Sequence, residues 1–149
     1  MIVRLAEDED MDALLRIEEA CFGPEMFSPE VIKSFIERAD CFVLIALEDD
    51  AAVGSAMCMV SVPRSEGKVA SVAVLPDHRK QGIGAALLQV CEEEFRRRRL
   101  NRYTLEVDTT NEAAIALYSS KGYEIVGTVE HFYGPGRHAY SMEKLAANA

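Results

Sequence analysis

The chain has 149 residues, 49% apolar and 28% charged, a balance that fits one globular domain and excludes a disordered segment. No apolar run is long enough to cross a bilayer, and the opening MIVRLAEDED puts acids where a secretory leader needs apolar residues. A net charge of −9 and a pI near 4.8 oppose binding to nucleic acid or anionic membranes and suit a cationic partner, an amine or basic peptide.

Cys21, Cys41, Cys58 and Cys91 are scattered, form no C-x-x-C pair and each sit in an apolar segment. They read as free thiols in a reducing compartment, which places the protein in the cytoplasm. His78, His131 and His138 do not cluster with them, so no metal site is expected.

In chain order, residues 2–5 (IVRL) predict a strand, and a helix from Asp8 to about Ala20 has Met11, Leu14 and Leu15 on one face. Gly23-Pro24 ends it. Ser28-Pro29-Glu30 opens a second helix with a capping hydroxyl, proline at the first position and an acid beside the positive dipole end. Two apolar strands follow at 41–47 and 53–62. A third at 68–75, apolar at nearly every position, predicts cover on both faces near the sheet centre. Then come a helix over 84–99, the alternating strand RYTLEVD (102–108), a helix from Asn111 to Lys121 stopped by Gly122, and strands near 123–130 and 137–144. This order predicts one domain over 1–149, an α/β fold whose mixed sheet carries helices on its faces.

The segment SVAVLPDHRKQGIGAALL runs from a strand through a polar loop to a helix opened by Gln81-Gly82-Ile83-Gly84-Ala85. Unpaired amides and partial positive charge at a helix start attract phosphate, and glycines allow close approach. Arg79 and Lys80 add charge beside this cradle. The dinucleotide fingerprint fails, because Ala86 and Leu87 stand where its third glycine belongs and Asn101-Arg102 where its acid belongs. The phosphate-loop pattern G-x-x-x-x-G-K-[ST] is also missing.

V-A-V-L-P-D-H-R-K-Q-G-I-G resembles the acetyl-CoA motif of the GNAT superfamily of N-acetyltransferases, R/Q-x-x-G-x-G/A after a V-x-P strand end. The resemblance covers nearly the whole chain and implies a mostly antiparallel sheet of about seven strands with about four helices. It implies acetyl-CoA as cosubstrate, with the diphosphate on amides from about Lys80 to Ala85 and the pantetheine arm along Val72, Ala73 and Val74. L-E-V-D-T-T-N-E-A-A-I-A-L-Y-S-S-K-G-Y is similar to the signature of the ribosomal-protein-alanine acetyltransferases, the N-terminal branch. That implies Glu106 as general base, Tyr118 as the acid that protonates the coenzyme thiolate, and Asn111 touching the coenzyme. Read alone, Glu106 is a solvated strand residue, Tyr118 a packing ring, and Asn111 part of a capping cluster in which Thr109 and Glu112 fit a capping box.

CFGPEMFSPE resembles that branch's F-P-x-x-W-S acceptor loop, with Phe27 in the tryptophan's place. His131-Phe132-Tyr133 and His138-Ala139-Tyr140-Ser141-Met142 resemble its Y-Y…D-A-x-x-M ending, with Phe132 for the first tyrosine and His138 for the aspartate. Phe27, Tyr133 and His138 are thereby implied on the acceptor side. No cysteine lies in either motif, which predicts direct attack in a ternary complex. Arg96 to Arg99 read as a solvated helix end. The expected acceptor is a protein or peptide N-terminus, with a small amine (polyamine, amino acid or antibiotic) as the alternative and a non-catalytic acetyl-CoA sensor as the alternative of another class. A monomer or homodimer is expected, with no nucleic acid or membrane partner.

Overall fold

A computed structural model of the protein describes residues 1–146; the last three residues of the expected domain lie outside the described ones. The strands β1 (Ile2–Leu5), β2 (Cys41–Glu48), β3 (Ala51–Ser61), β4 (Glu66–Val74), β5 (Arg102–Asp108), β6 (Glu124–Gly134) and β7 (Arg137–Leu145) form one sheet in the order β1-β2-β3-β4-β5-β7-β6. Only β4 and β5 pair in parallel. The helices α1 (Met11–Phe22), α2 (Pro29–Glu37), α3 (Ile83–Arg97) and α4 (Glu112–Ser120) cover its faces. The element order is the one expected.

Burial follows side-chain type. The near-continuous apolar run of β2 serves two cores: Phe42, Leu44 and Ala46 face the one under α3, while Val43 and Ile45 face the one under α1 and α2. β5 feeds only the first, through Tyr103, Leu105 and Val107, which leaves Thr104, Glu106 and Asp108 on the opposite face. α2 starts as expected, with the Ser28 hydroxyl accepting from the Val31 amide at 3.2 Å and Pro29 next. α1 starts later than expected. The Asp10 carboxylate accepts from the Glu7 amide and is paired with Arg4, which holds Asp8–Asp10 in a single 3-10 turn. α3 ends two residues early, where Arg99 turns left-handed at φ 62°.

The feature that positions the site is a parting of strands. β4 pairs with β3 along its length, but Met57 opposes Ser71 while Cys58 opposes Val69, so Ala70 is an extra residue, a β-bulge. Gly67 and Val69 face the α3 core before the bulge; Val72 and Val74 face it afterwards, the one-residue shift a bulge imposes. β4 pairs with β5 only from Glu66–Arg102 to Val69–Leu105. Beyond that point the strands separate and leave a slot between residues 70–74 and Glu106–Asp108. β4 is central, as expected, yet Val72 and Val74 are only half-buried because they border this slot.

The β4–β5 junction depends on Gly67. A Cβ there would lie 2.4 Å from the Phe95 ring, which is fully buried and packs on Phe42 and Tyr103. Gly67→Ala should therefore cost about 1–3 kcal/mol by overpacking. Thermal unfolding checks this: an unchanged melting temperature would mean that Phe95 can yield.

Candidate active site

After β4 the chain makes one 3-10 turn, Pro76–His78, and a loop that enters α3 at Ile83. Lys80 (φ 64°) and Gly82 (φ 83°) are both left-handed, and such alternation turns successive amides toward one side, the geometry of an anion-binding nest. Among the described residues, none of the amides from 80 to 85 donates to another protein group; Ala86 is the first that does, to the Gly82 carbonyl at 3.0 Å. No side chain caps α3, and a Cβ on Gly82 would meet nothing within 4 Å. Free amides, an open approach and the positive end of a fifteen-residue helix fit a diphosphate.

Beside the cradle lies a cleft of about 390 Å³ lined by Gly82, Ala85, Ala86, Gln89, Lys121 and Lys144 among others. The two lysines were not singled out from sequence, since only the packing of α4 and β7 beside α3 brings them there. A larger space, about 650 Å³, lies at the far edge of the sheet between β1, β2 and α1, away from these groups. Arg79 turns back from the cradle: its Nε donates to the Val74 carbonyl at 3.0 Å, an oxygen that also accepts from the Cys21 thiol at 3.3 Å. Burial pushes the Cys21 thiol up, although Arg79 draws it the other way.

Glu106 and Tyr118 lie on opposite faces of the sheet. Glu106 is on the face of α1 and α2; Tyr118, on α4, packs against the α3 core and meets the Tyr123 ring edge-on at 6.1 Å. In a continuous sheet that separation would keep them from acting on one molecule. Here β4 and β5 have parted between them. Burial, then Cys91 and Tyr133, push the Tyr118 hydroxyl up to about 12, so it stays protonated across the neutral range. Tyr133, on the β6–β7 hairpin, stands between the two: burial and then the Asp108 and Glu106 carboxylates push its hydroxyl up to about 12 as well. Glu106 is ion-paired with Lys68 of β4.

Asn111 caps α4, its Oδ1 accepting from the Ala114 amide at 3.2 Å. The expected box from Thr109 is not formed: α4 starts at Glu112 with Asn111 as its N-cap, and the Thr109 amide continues the strand pairing by donating to the His138 carbonyl at 3.0 Å. Phe27 is half-buried, stacks on Phe35 at 6.2 Å and belongs to the α1–α2 core. The His138 Nδ1 accepts from the His131 amide at 2.9 Å inside the hairpin, where β6 continues to Gly134, beyond the expected end near 130. Arg137, absent from the sequence reading, ion-pairs with Glu25 of the 23–27 loop, lies 3.7 Å from Asp108 and covers the Tyr133 ring at 5.5 Å. It ties the loop to the hairpin across the end of β5. The arginine run at the end of α3 pairs locally, Arg96 with Glu92 and both Arg97 and Arg98 with Glu94. Among the described residues no three His, Cys, Asp or Glu side chains converge, and no helix is long and apolar enough to cross a membrane.

The 23–27 loop is pinned from beneath by Glu18, 2% exposed, whose Oε1 accepts from the Phe27 amide at 2.9 Å while Oε2 has no partner. Desolvation raises the Glu18 carboxyl, with the Phe27 amide opposing. A carboxyl raised in the folded state contributes stability at low pH that is lost as pH rises through its folded value. Glu18→Gln keeps an acceptor for Phe27 without a buried charge, so its melting temperature should exceed the wild type's at pH 8 and match it at pH 4. An equal fall at both pH values would contradict this.

Comparison with known proteins agrees with this geometry. The acetyltransferase (GNAT) family profile matches residues 11–123. An N-alpha-acetyltransferase of Sulfurisphaera tokodaii is 28% identical over 94% of this chain and 90% of its own. The [ribosomal protein bS18]-alanine N-acetyltransferase of Escherichia coli is 35% identical over 53% of each chain. The crystal structure of a ribosomal-protein-alanine N-acetyltransferase from Brucella melitensis superposes with a TM-score of 0.83 at 28% identity, covering 98% of this chain and 100% of that one. With the fold, the slot and the free amide cradle, these matches show that the chain belongs to the acetyltransferase (GNAT) family and is an N-acetyltransferase.

Proposed function

We propose that this enzyme acetylates the N-terminal α-amine of a protein or peptide from acetyl-CoA, by direct attack in a ternary complex. The observation that carries the reading is the slot where β4 and β5 part just before Glu106, together with a cradle of unpaired amides ahead of α3; Tyr118, which packs on the α3 side, is assigned as its acid partner. The names of the relatives, an N-alpha-acetyltransferase and a ribosomal-protein-alanine acetyltransferase, support an N-terminal acceptor.

Acetyl-CoA, when bound, supplies an acetyl group activated as a thioester. The amides of Lys80, Gln81, Gly82, Ile83, Gly84 and Ala85 hold its diphosphate, with Lys80 adding charge and Arg79, turned back onto the Val74 carbonyl, contributing only from beside the cradle. The edge of β4 over Val72, Ala73 and Val74, where Arg79 and Cys21 take the Val74 carbonyl but leave the amides open, aligns the pantetheine arm, and a backbone amide there polarises the carbonyl. Asn111 contacts the coenzyme through the amide nitrogen that capping leaves free. The Glu106 carboxylate takes a proton from the acceptor ammonium, and the Tyr118 hydroxyl gives one to the departing sulfur. Tyr133, with Phe27 and His138 behind it, shapes the acceptor side. Cys21 is half-buried and raised, a poor thiolate, so no acyl-enzyme step is assigned to it. Free cysteines throughout suit the cytoplasm.

Turnover of acetyl-CoA with peptides that differ in their first residue, set beside polyamines, amino acids and aminoglycosides, tests the acceptor. Acetylated peptide α-amines are expected. Activity confined to free small amines would replace the acceptor assignment, and tight coenzyme binding without turnover on any amine would replace catalysis with sensing.

A further inference from the structure

Lys68 is a residue whose place only the fold reveals. It opposes Thr104 in the parallel ladder, one position before the last pair, Val69–Leu105. Its neighbours Gly67 and Val69 face the α3 core, so Lys68 projects to the other face, where the alternation of β5 also puts Glu106. Its ammonium crosses the start of the slot and ion-pairs with the Glu106 carboxylate. Among the described residues this is the sole ion pair of either side chain, and no hydrogen bond from another group restrains Glu106. The Glu106 side chain is 12% exposed against 39% for Lys68, so the carboxylate is held inward and the lysine reaches in from solvent to meet it.

We propose that Lys68 is a positioning residue that fixes the Glu106 carboxylate toward the slot. Glu106 stands just where β5 loses its β4 neighbour, so no adjacent strand limits its rotamers on that side. A free glutamate side chain samples many rotamers, and an ammonium anchored on a strand segment paired along both edges removes that freedom. The charge also holds the carboxylate at the slot without occupying it, because Lys68 enters from the paired end. The inference rests on the proposed role of Glu106 as base.

A double-mutant cycle with a reactive acceptor tests it. Lys68→Met should lower kcat about tenfold, the scale of a base that is present but misoriented. Coenzyme affinity by calorimetry should hardly move, and the melting temperature should fall only slightly, because the half-exposed lysine keeps the pair in contact with solvent. Lys68→Arg should restore turnover to within about threefold, because it keeps the charge. In a Glu106→Gln background, Lys68→Met should have no further effect, because its action passes through Glu106. Losses that multiply in the double mutant, an Arg variant as impaired as Met, or acetylation of Lys68 itself on incubation with acetyl-CoA would each overturn the inference. Wild-type turnover by Glu106→Gln would instead overturn the base assignment beneath it, so the two failures are distinguishable.

Discussion

Glu106→Gln lowers kcat/KM roughly tenfold at pH 7 and regains most of the loss above pH 9. Glutamine keeps the size and polarity of the side chain but cannot accept the proton of an ammonium. An α-amine has a pKa near 8, so at pH 7 about a tenth of the acceptor is already neutral, which caps at about tenfold the loss from failing to deprotonate it. As pH rises the acceptor deprotonates without help and the need for a base fades. The pH–rate profile of wild type and variant on one peptide is the check. A defect of the same size at every pH would assign Glu106 to structure or binding, as would a rise in KM with kcat intact.

Tyr118→Phe lowers kcat roughly 10²-fold while the coenzyme dissociation constant stays within about twofold. The hydroxyl has no hydrogen-bond partner among the described residues, so the fold does not depend on it. Phenylalanine preserves the edge-on contact with Tyr123 and the packing under α4. The lost element is a proton donor that burial keeps protonated up to about pH 12. Calorimetry with coenzyme A, a thermal melt and steady-state kinetics separate the possibilities. Equal losses in turnover and affinity would make Tyr118 a packing residue.

Most of the architecture was legible because local chemistry and global packing agree. RYTLEVD alternates because only one face of β5 meets a core, CFVLIAL runs continuously because β2 serves two, and Ser28-Pro29 caps a helix as its chemistry dictates. Gly82 was legible too, since a left-handed position ahead of a helix suits glycine. The parting of β4 from β5 was not, because the bulge falls on Ala70, a residue type that marks nothing. The same holds for the partners of Glu106 and Glu25: Lys68 and Arg137 are remote in the chain, and only the sheet order brings them to one place. At the head of α4 both Thr109 and Asn111 could have capped, and Asn111 does because Thr109 still pairs with β7 through the His138 carbonyl. Thus the signature named the candidate residues, while the residues that contact them emerged only from the fold.

Amide chemical shifts of the labelled protein during titration with coenzyme A test the central claim most directly. If unpaired main-chain donors at the mouth of α3 grip the coenzyme and the strand gap receives its arm, the resonances of residues 80–85 and 72–74 move together and saturate at one concentration. Saturable shifts elsewhere, with both of those segments unmoved, would contradict the account.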